Sequence, residues 1–378
     1  MIITDKRSVM PNRRQSIDDR LVDALVRATA LRERHDASAV LMTRPGSVNW
    51  ITGGLSDPID ITAPLDPVWA LVTDDSRMLI TTEIEAPRLA GDFDVSSMGW
   101  ELVGVPWFEP LAARDVVAER LGRDVARVLC DSDALGVDAT SEIVATRMVL
   151  SSGERDDLRE LGRDAARALE RGIDSWRPGT STDFEVAGEV ARELERVGAK
   201  AVCLIVGGDD RLRTLRHPLA IGATLDEAVM AVVVARRGGL HVAATRLAVR
   251  RADDPIIALV NELEGVHAGV LDASTPAHSW GEAVGALAEG YRLAGHEGAW
   301  REHYQGGPIA FEQREFELAP GQSDSAYWDL RCEVNTAVAW NPSLRGGAKI
   351  EDTYLVGEGG LELVTVSGNE DERVKVVG

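Results

Sequence analysis

The chain has 378 residues, 27% of them charged and 44% hydrophobic, with 62 acidic against 41 basic side chains and a net charge of −21. That length exceeds one ordinary core and predicts two domains, and the acidity argues against nucleic acid or an anionic membrane as a partner. Three cysteines, Cys130, Cys203 and Cys332, are odd in number and far apart, which fits neither a disulfide framework nor a thiolate metal site and points to a reducing, cytoplasmic compartment.

No apolar run approaches the ~20 residues that a membrane-spanning helix needs. The first residues, MIITDKRSVMPNRRQ, lack the apolar core of a secretory signal, so 1–16 read as a mobile polar arm. Residues 17–34 place Leu21, Leu25, Val26, Ala28 and Leu31 at a helical period. Strand-like runs follow at 39–42, 69–72 and 78–81, bounded by turn residues such as Arg44-Pro45-Gly46 and Asp74-Asp75. A helix pattern at 110–121 and a strand at 127–130 continue the alternation, which predicts an α/β domain over 17–150.

From Ser151 the organisation changes. Ser151 with Glu154 and Thr182 with Glu185 form capping-box patterns that open helices over 153–172 and 183–197. Strands are predicted at 201–206, 228–234 and 241–249, the last after an Arg236-Arg237-Gly238-Gly239 turn. The order then repeats, with helices at 255–271 and 279–293 and strands to the end. Two helices followed by antiparallel strands, given twice, predict an internally duplicated domain over 151–378.

Within that domain an acidic pair, Glu351 and Asp352, interrupts 349–356, whose Ile350, Thr353, Tyr354 and Val356 otherwise suit a half-buried strand. A carboxylate inside such a strand costs free energy unless paired, and the alternative is a solvent-facing pair on an edge strand. Asn341-Pro342-Ser343 and Arg345-Gly346-Gly347 are turn chemistry, so the flanking strands predict a hairpin that brings Asn341 near Glu351.

Residues 347–356, GAKIEDTYLV, resemble the closing motif of the creatinase/aminopeptidase P superfamily (peptidase family M24), in which the glutamate of an Ile-Glu-Asp-Thr run is the last metal ligand. Val48-Asn49-Trp50-Ile51-Thr52-Gly53 is similar to the Tyr/Trp-Leu-Thr-Gly segment of that family's first domain. The resemblance covers nearly the whole chain. It implies a creatinase-like α/β domain followed by a pita-bread domain of pseudo-twofold ααββ design, and a homodimer in which Trp50 helps to close a neighbour's cleft.

A dinuclear member of the family needs two aspartates on the central hairpin, one histidine and two glutamates. Here the resemblance puts Val232 and Ala243 at the aspartates, Gly307 at the histidine and Asn341 at the first glutamate, leaving Glu351 alone. One carboxylate cannot hold a divalent pair against water, so neither catalytic metal nor cofactor is expected. Creatinase, with the same fold, hydrolyses a C–N bond without metal through a histidine, and the corresponding segment resembles Arg216-His217-Pro218. His217 is therefore the expected general acid or base.

The resemblance also matches His303 to the first histidine of the loop 303–315, with Arg314 replacing a later histidine and Glu315 kept. Glu315 and Glu351 are expected to bind a substrate cation or position water. Arg246, Arg314 and Arg216 are expected to hold a substrate carboxylate, while Arg213 is assigned to a structural ion pair. His303, Gln305 and Asn341 are expected to orient the substrate, and Gly306-Gly307 permits close backbone approach. His241 reads as an exposed turn histidine, with a cleft-facing position as the alternative, and His35, His267, His278 and His296 receive no role. The implied function is a metal-independent hydrolase of a small polar substrate bearing a carboxylate. A lyase, rearrangement or cyclisation enzyme and a non-catalytic binding module are the alternatives, and a metal-dependent Xaa-Pro aminopeptidase ranks last.

Overall fold

The computed structural model describes residues 11–55, 66–368 and 373–377. Two compact units emerge, one running through Arg147 and taking in Ser151–Glu154, the other holding Met148–Leu150 and everything from Arg155 onward. Among the described residues no helix is long and apolar enough to cross a membrane.

The first unit is an α/β sandwich of α1 (Pro11–Arg34), β1 (Ala39–Met42), α2 (Pro45–Ile51), β2 (Trp69–Val72), β3 (Arg77–Thr82), α3 (Ala86–Phe93), β4 (Glu101–Val105), α4 (Ala112–Leu121), β5 (Val128–Cys130), β6 (Val137–Asp138) and α5 (Thr140–Arg147). Its sheet runs β4-β3-β2-β1-β5-β6. β1 is parallel to β5 and antiparallel to β2, and both β1 and β5 are buried along their whole length, which is why AVLM and VLC read as unbroken apolar runs. Leu41, Leu71, Met78, Ile80 and Val117 form the core between sheet and helix. Two expectations need correction. α1 begins at Pro11 rather than at residue 17, so part of the expected arm is helical, while residues 1–10 lie outside the described residues. Pro45-Gly46 opens a helix instead of a turn, because proline at the first helical position gives up no needed hydrogen bond.

The second unit gives the duplicated order. α6 (Ser152–Ser175) and α7 (Asp183–Arg196) precede β7 (Lys200–Gly208), a short helix α8 (Asp209–Thr214), β8 (Ala228–Arg237) and β9 (Leu240–Val249). α9 (Pro255–Asp272) and α10 (Trp280–Leu293) precede a 3-10 turn (Ala299–Glu302), β10 (Gly306–Pro308), β11 (Ala337–Trp340), β12 (Ser343–Leu344), β13 (Ala348–Lys349), β14 (Asp352–Gly357) and β15 (Gly360–Leu363), and β16 (Val374–Val376) follows. One sheet runs β16-β9-β8-β7 and the other β10-β11-β14-β15. The Thr182 and Ser279 hydroxyls both close capping boxes with glutamates one turn on, fixing where α7 and α10 start.

The predicted strand over 349–356 is interrupted at Ile350 and Glu351, and β14 lies between β11 and β15. The edge-strand reading of Glu351 and Asp352 is therefore wrong: both are buried, at 2% and 3% exposure. β9 and β14 are tied together by Thr245 N–H donating to the Glu351 carbonyl (2.9 Å) and by the Thr353 hydroxyl, which accepts from Ala243 N–H (2.8 Å) and donates to the Ala243 carbonyl (2.9 Å).

Candidate active site

Glu351 lies at the point where the two sheets of the second unit join. Four donors surround its carboxylate. Oε1 accepts from Arg314 Nη2 (3.3 Å) and Asn341 Nδ2 (3.2 Å), while Oε2 accepts from Thr245 Oγ1 (2.9 Å) and faces Lys349 Nζ (3.3 Å). Burial by itself would raise the Glu351 pKa, but Lys349 and Arg314, then Thr245, outweigh it and hold the carboxyl at about 2. The predicted approach of Asn341 to Glu351 is thus present, built by β12 and β13 pairing Ser343 with Lys349.

Two histidines stand close by. His217 Nε2 and His303 Nε2 are 3.0 Å apart, with ring centres 4.8 Å apart. Burial and then the Lys349 charge lower both; His303 falls to about 3 and His217 is lowered from 6.5. Both rings are accordingly neutral at pH 7, so one donates a hydrogen bond to the other and each keeps a second nitrogen. His303 Nδ1 is buried with no hydrogen-bond partner among the described residues.

Local sequence explains why the rings meet. The segment carrying His217 crosses β7 so tightly that a Cβ at Gly207 would sit 2.6 Å from the Pro218 carbonyl, which only glycine avoids. Its far end is fixed by the buried Asp183 carboxylate, which accepts from Ile221 N–H (3.0 Å) and Gly222 N–H (2.7 Å). His303 leaves the 3-10 turn in extended conformation, held by Gln305 Nε2 donating to its carbonyl (2.7 Å) and to that of Trp300 (3.0 Å). Gly306, at φ +85°, lets the chain enter β10 against the Ala339 carbonyl, which a Cβ would approach to 2.1 Å.

Both imidazoles open on a cleft of about 680 Å³, whose wall also includes Trp300, Arg301, Tyr304 and Glu317. Burial raises the Glu317 pKa and Arg314 opposes it, although the side chain faces the open cleft; its Oε1 accepts from Gln305 N–H (3.1 Å). This is a basin of mixed polar and apolar lining with a neutral imidazole pair in its wall.

Solved structures share this architecture end to end. Dipeptidase PepE from Mycobacterium ulcerans superposes with a TM-score of 0.76 at 20% identity, over 95% of this chain and 98% of the other. A prolidase from Pyrococcus horikoshii OT3 gives 0.69 at 16% identity over 93% and 99%. The N-terminal domain of FACT complex subunit SPT16 from Cicer arietinum gives 0.66 at 13% identity over 96% and 99%. The chain has the two-domain pita-bread fold. Its sequence matches no protein-family model and no curated relative.

In this pita-bread domain the residues do not fit a pair of divalent ions. Val232 and Ala243 are buried hydrophobic positions of β8 and β9, Gly307 has no side chain, and Asn341 presents its amide to Glu351. Glu351 itself has every lone pair taken, two of them by cations. Among the described residues no group of three or more His, Cys, Asp or Glu side chains is arranged to hold a metal ion. An ammonium and a guanidinium against the one remaining carboxylate are the opposite of what a metal centre requires.

The other expected site residues divide sharply. Arg314 reaches Glu351, but Arg246 lies behind β14 and donates to Asp352 Oδ1 (2.8 Å) and the Thr365 carbonyl (2.9 Å); at 4% exposure it is structural, which corrects its assignment to substrate. Arg216 pairs with Glu302, which Arg345 also engages, so its guanidinium is already engaged at the cleft edge. Gln305 has its amide committed to two carbonyls and its oxygen to Tyr291 Oη (3.1 Å), making it a strut and not a substrate ligand. Glu315 accepts from Phe311 N–H (2.8 Å) and Glu312 N–H (3.3 Å), organising its own loop. Trp50 is fully buried within the first unit, beneath the Arg27 guanidinium at 5.3 Å, so its ring is not a surface that could close a cleft. His241 is buried, 3.2 Å from the Ala310 carbonyl through Nδ1, not an exposed turn residue. Arg213 forms the expected ion pair, with Asp254 at 2.7 Å.

Lys349 was not singled out by sequence reasoning, yet it acts on Glu351 and on both histidines. Lys349 ends β13 two residues before Glu351, and the strand interruption between them lets its ammonium reach 3.3 Å from Glu351 Oε2.

Proposed function

We propose that the chain is a metal-independent hydrolase of the creatinase/aminopeptidase P superfamily, cleaving a C–N bond in a small polar molecule that bears a carboxylate. The observation that carries this reading is the neutral His217–His303 pair at 3.0 Å, opening on the cleft beside a carboxylate whose counter-ions are Lys349 and Arg314. A neutral imidazole is the form that accepts a proton. His217, the more exposed ring, takes a proton from water as the water oxygen bonds to the substrate carbon. The C–N bond then breaks and the same proton passes to the departing nitrogen, so the ring ends neutral. Glu351 stabilises the transient imidazolium at a distance and holds Lys349 and Arg314 in place. Its expected direct contact with substrate gives way to this positioning role.

The test is release of amine or ammonia from a panel of N-acylglycines and guanidino acids by chelator-treated protein. His217→Ala is expected to abolish release while leaving the circular dichroism spectrum unchanged; an active His217→Ala protein would place the chemistry elsewhere. A second reading, a binding surface without turnover, is favoured by the likeness to a domain named as a complex subunit rather than as an enzyme. Saturable binding of a panel member with no turnover by the unmutated protein would select it.

A further inference from the structure

We propose that Arg301, stacked on Trp300, is the anchor for the substrate's carboxylate and so sets the substrate class as small organic acids. The inference rests on the hydrolase reading but concerns recognition, not chemistry.

Elimination and geometry point to the same residue. Of the cations near the imidazole pair, Arg216 is already ion-paired with Glu302, Arg314 and Lys349 with Glu351, and Arg246 with Asp352. Arg301 lines the cleft and, among the described residues, forms no ion pair with any carboxylate. Its guanidinium carbon lies 4.3 Å from the centre of the Trp300 ring. The contact with the indole restrains the guanidinium while Arg301 remains exposed, and a guanidinium so held can donate two parallel bonds to a carboxylate. The platform is itself fixed, because the Trp300 carbonyl accepts from the buried Gln305 amide.

Arg301 and His303 are two residues apart, so their Cα atoms are separated by at most about 7 Å. Arg301 and both imidazoles line the same cleft, so a small molecule held by its carboxylate at Arg301 lies in the space onto which the imidazoles open. Glu317, on the same wall, disfavours a second carboxylate and suits a substrate whose far end is neutral or cationic.

The experiment is calorimetric titration of the full-length protein with N-acetylglycine and with N-acetylglycinamide, which differs by lacking the carboxylate. Unmutated protein is expected to bind the acid at least about tenfold more tightly than the amide, and Arg301→Ala to lose at least about tenfold in affinity for the acid while leaving the amide unchanged. Arg301→Lys is expected to recover part of the loss and Trp300→Leu to weaken the acid alone. Equal affinity of Arg301→Ala and unmutated protein for the acid, or no preference for the acid in the unmutated protein, overturns the assignment. That failure is separable from failure of the hydrolase reading, which His217→Ala turnover decides on its own.

Discussion

Glu351, just before β14, and Asp352, its first residue, are neighbours in the chain that reach different partners, each buried and each held by cations. On the Asp352 side the network closes on itself: Arg246 and the Thr365 hydroxyl donate to Oδ1, and Arg373 approaches Oδ2 at 3.7 Å. On the Glu351 side the cations stand next to two titratable rings, and those rings line open space. A buried ion pair is thus no marker of chemistry by itself. What separates the two sides is whether a group able to move a proton lies between the pair and solvent.

The comparison can be broken most decisively at His217. His217→Ala is expected to lower turnover about 10²–10⁴-fold with little change in stability, as removal of a general base does. In the unmutated protein the acid limb of kcat/KM should lie below pH 6.5, because burial and Lys349 lower the His217 pKa and keep the ring neutral further into acid. Next in size, Glu351→Gln leaves Lys349 and Arg314 without their counter-ion and should cost roughly 3–5 kcal/mol in urea unfolding, together with lost turnover. Arg246→Met should destabilise by a similar amount, roughly 3–5 kcal/mol, by stranding Asp352, but whatever folded protein remains should keep its kcat. An Arg246→Met protein with normal stability and lost turnover would erase the distinction between the two sides.

A smaller effect is expected from His267, which packs behind the strand against Tyr354 with ring centres 5.7 Å apart. Burial, reinforced by Arg373, pushes its pKa down to about 3. The unfolded chain binds a proton near pH 6.5 and the folded one does not, so stability is lost as pH falls from about 6.5 toward 3. His267→Phe should flatten that acid loss, measured as urea midpoints at pH 7 and 4.5. Smallest of all, Arg213→Ala removes a partly exposed pair with Asp254 and should cost at most about 1 kcal/mol.

The fold was largely legible because its signals are local. Capping boxes at Thr182 and Ser151, apolar runs at 39–42 and 228–234, and turn residues around 341–347 each constrain a few neighbours in the chain. The resemblance then supplied the arrangement that local signals cannot. The site was legible at His217, His303, Asn341 and Glu351, which do come together. It was misread at Arg246 and Gln305, because a sequence shows that a side chain is charged or polar but not which carboxylate or carbonyl already occupies it. α8 was missed for a different reason: its six residues are too few to show a helical period, and the distant partners of its first residue, Asp209, which accepts from the N–H groups of 226–228, are not written in its own segment. Trp300 and Arg301 escaped because neither belongs to a motif, and their stacking and the missing counter-ion exist only in three dimensions.

The central claim is that an imidazole pair, and not a metal centre, does the chemistry of this pita-bread domain. Elemental analysis of freshly purified protein, with C–N hydrolysis of the carboxylate panel measured before and after exhaustive chelation, tests it most directly. Divalent metal far below stoichiometric and turnover unchanged by chelation are expected; stoichiometric manganese, zinc, iron or cobalt whose removal abolishes turnover would return the chemistry to a metal centre.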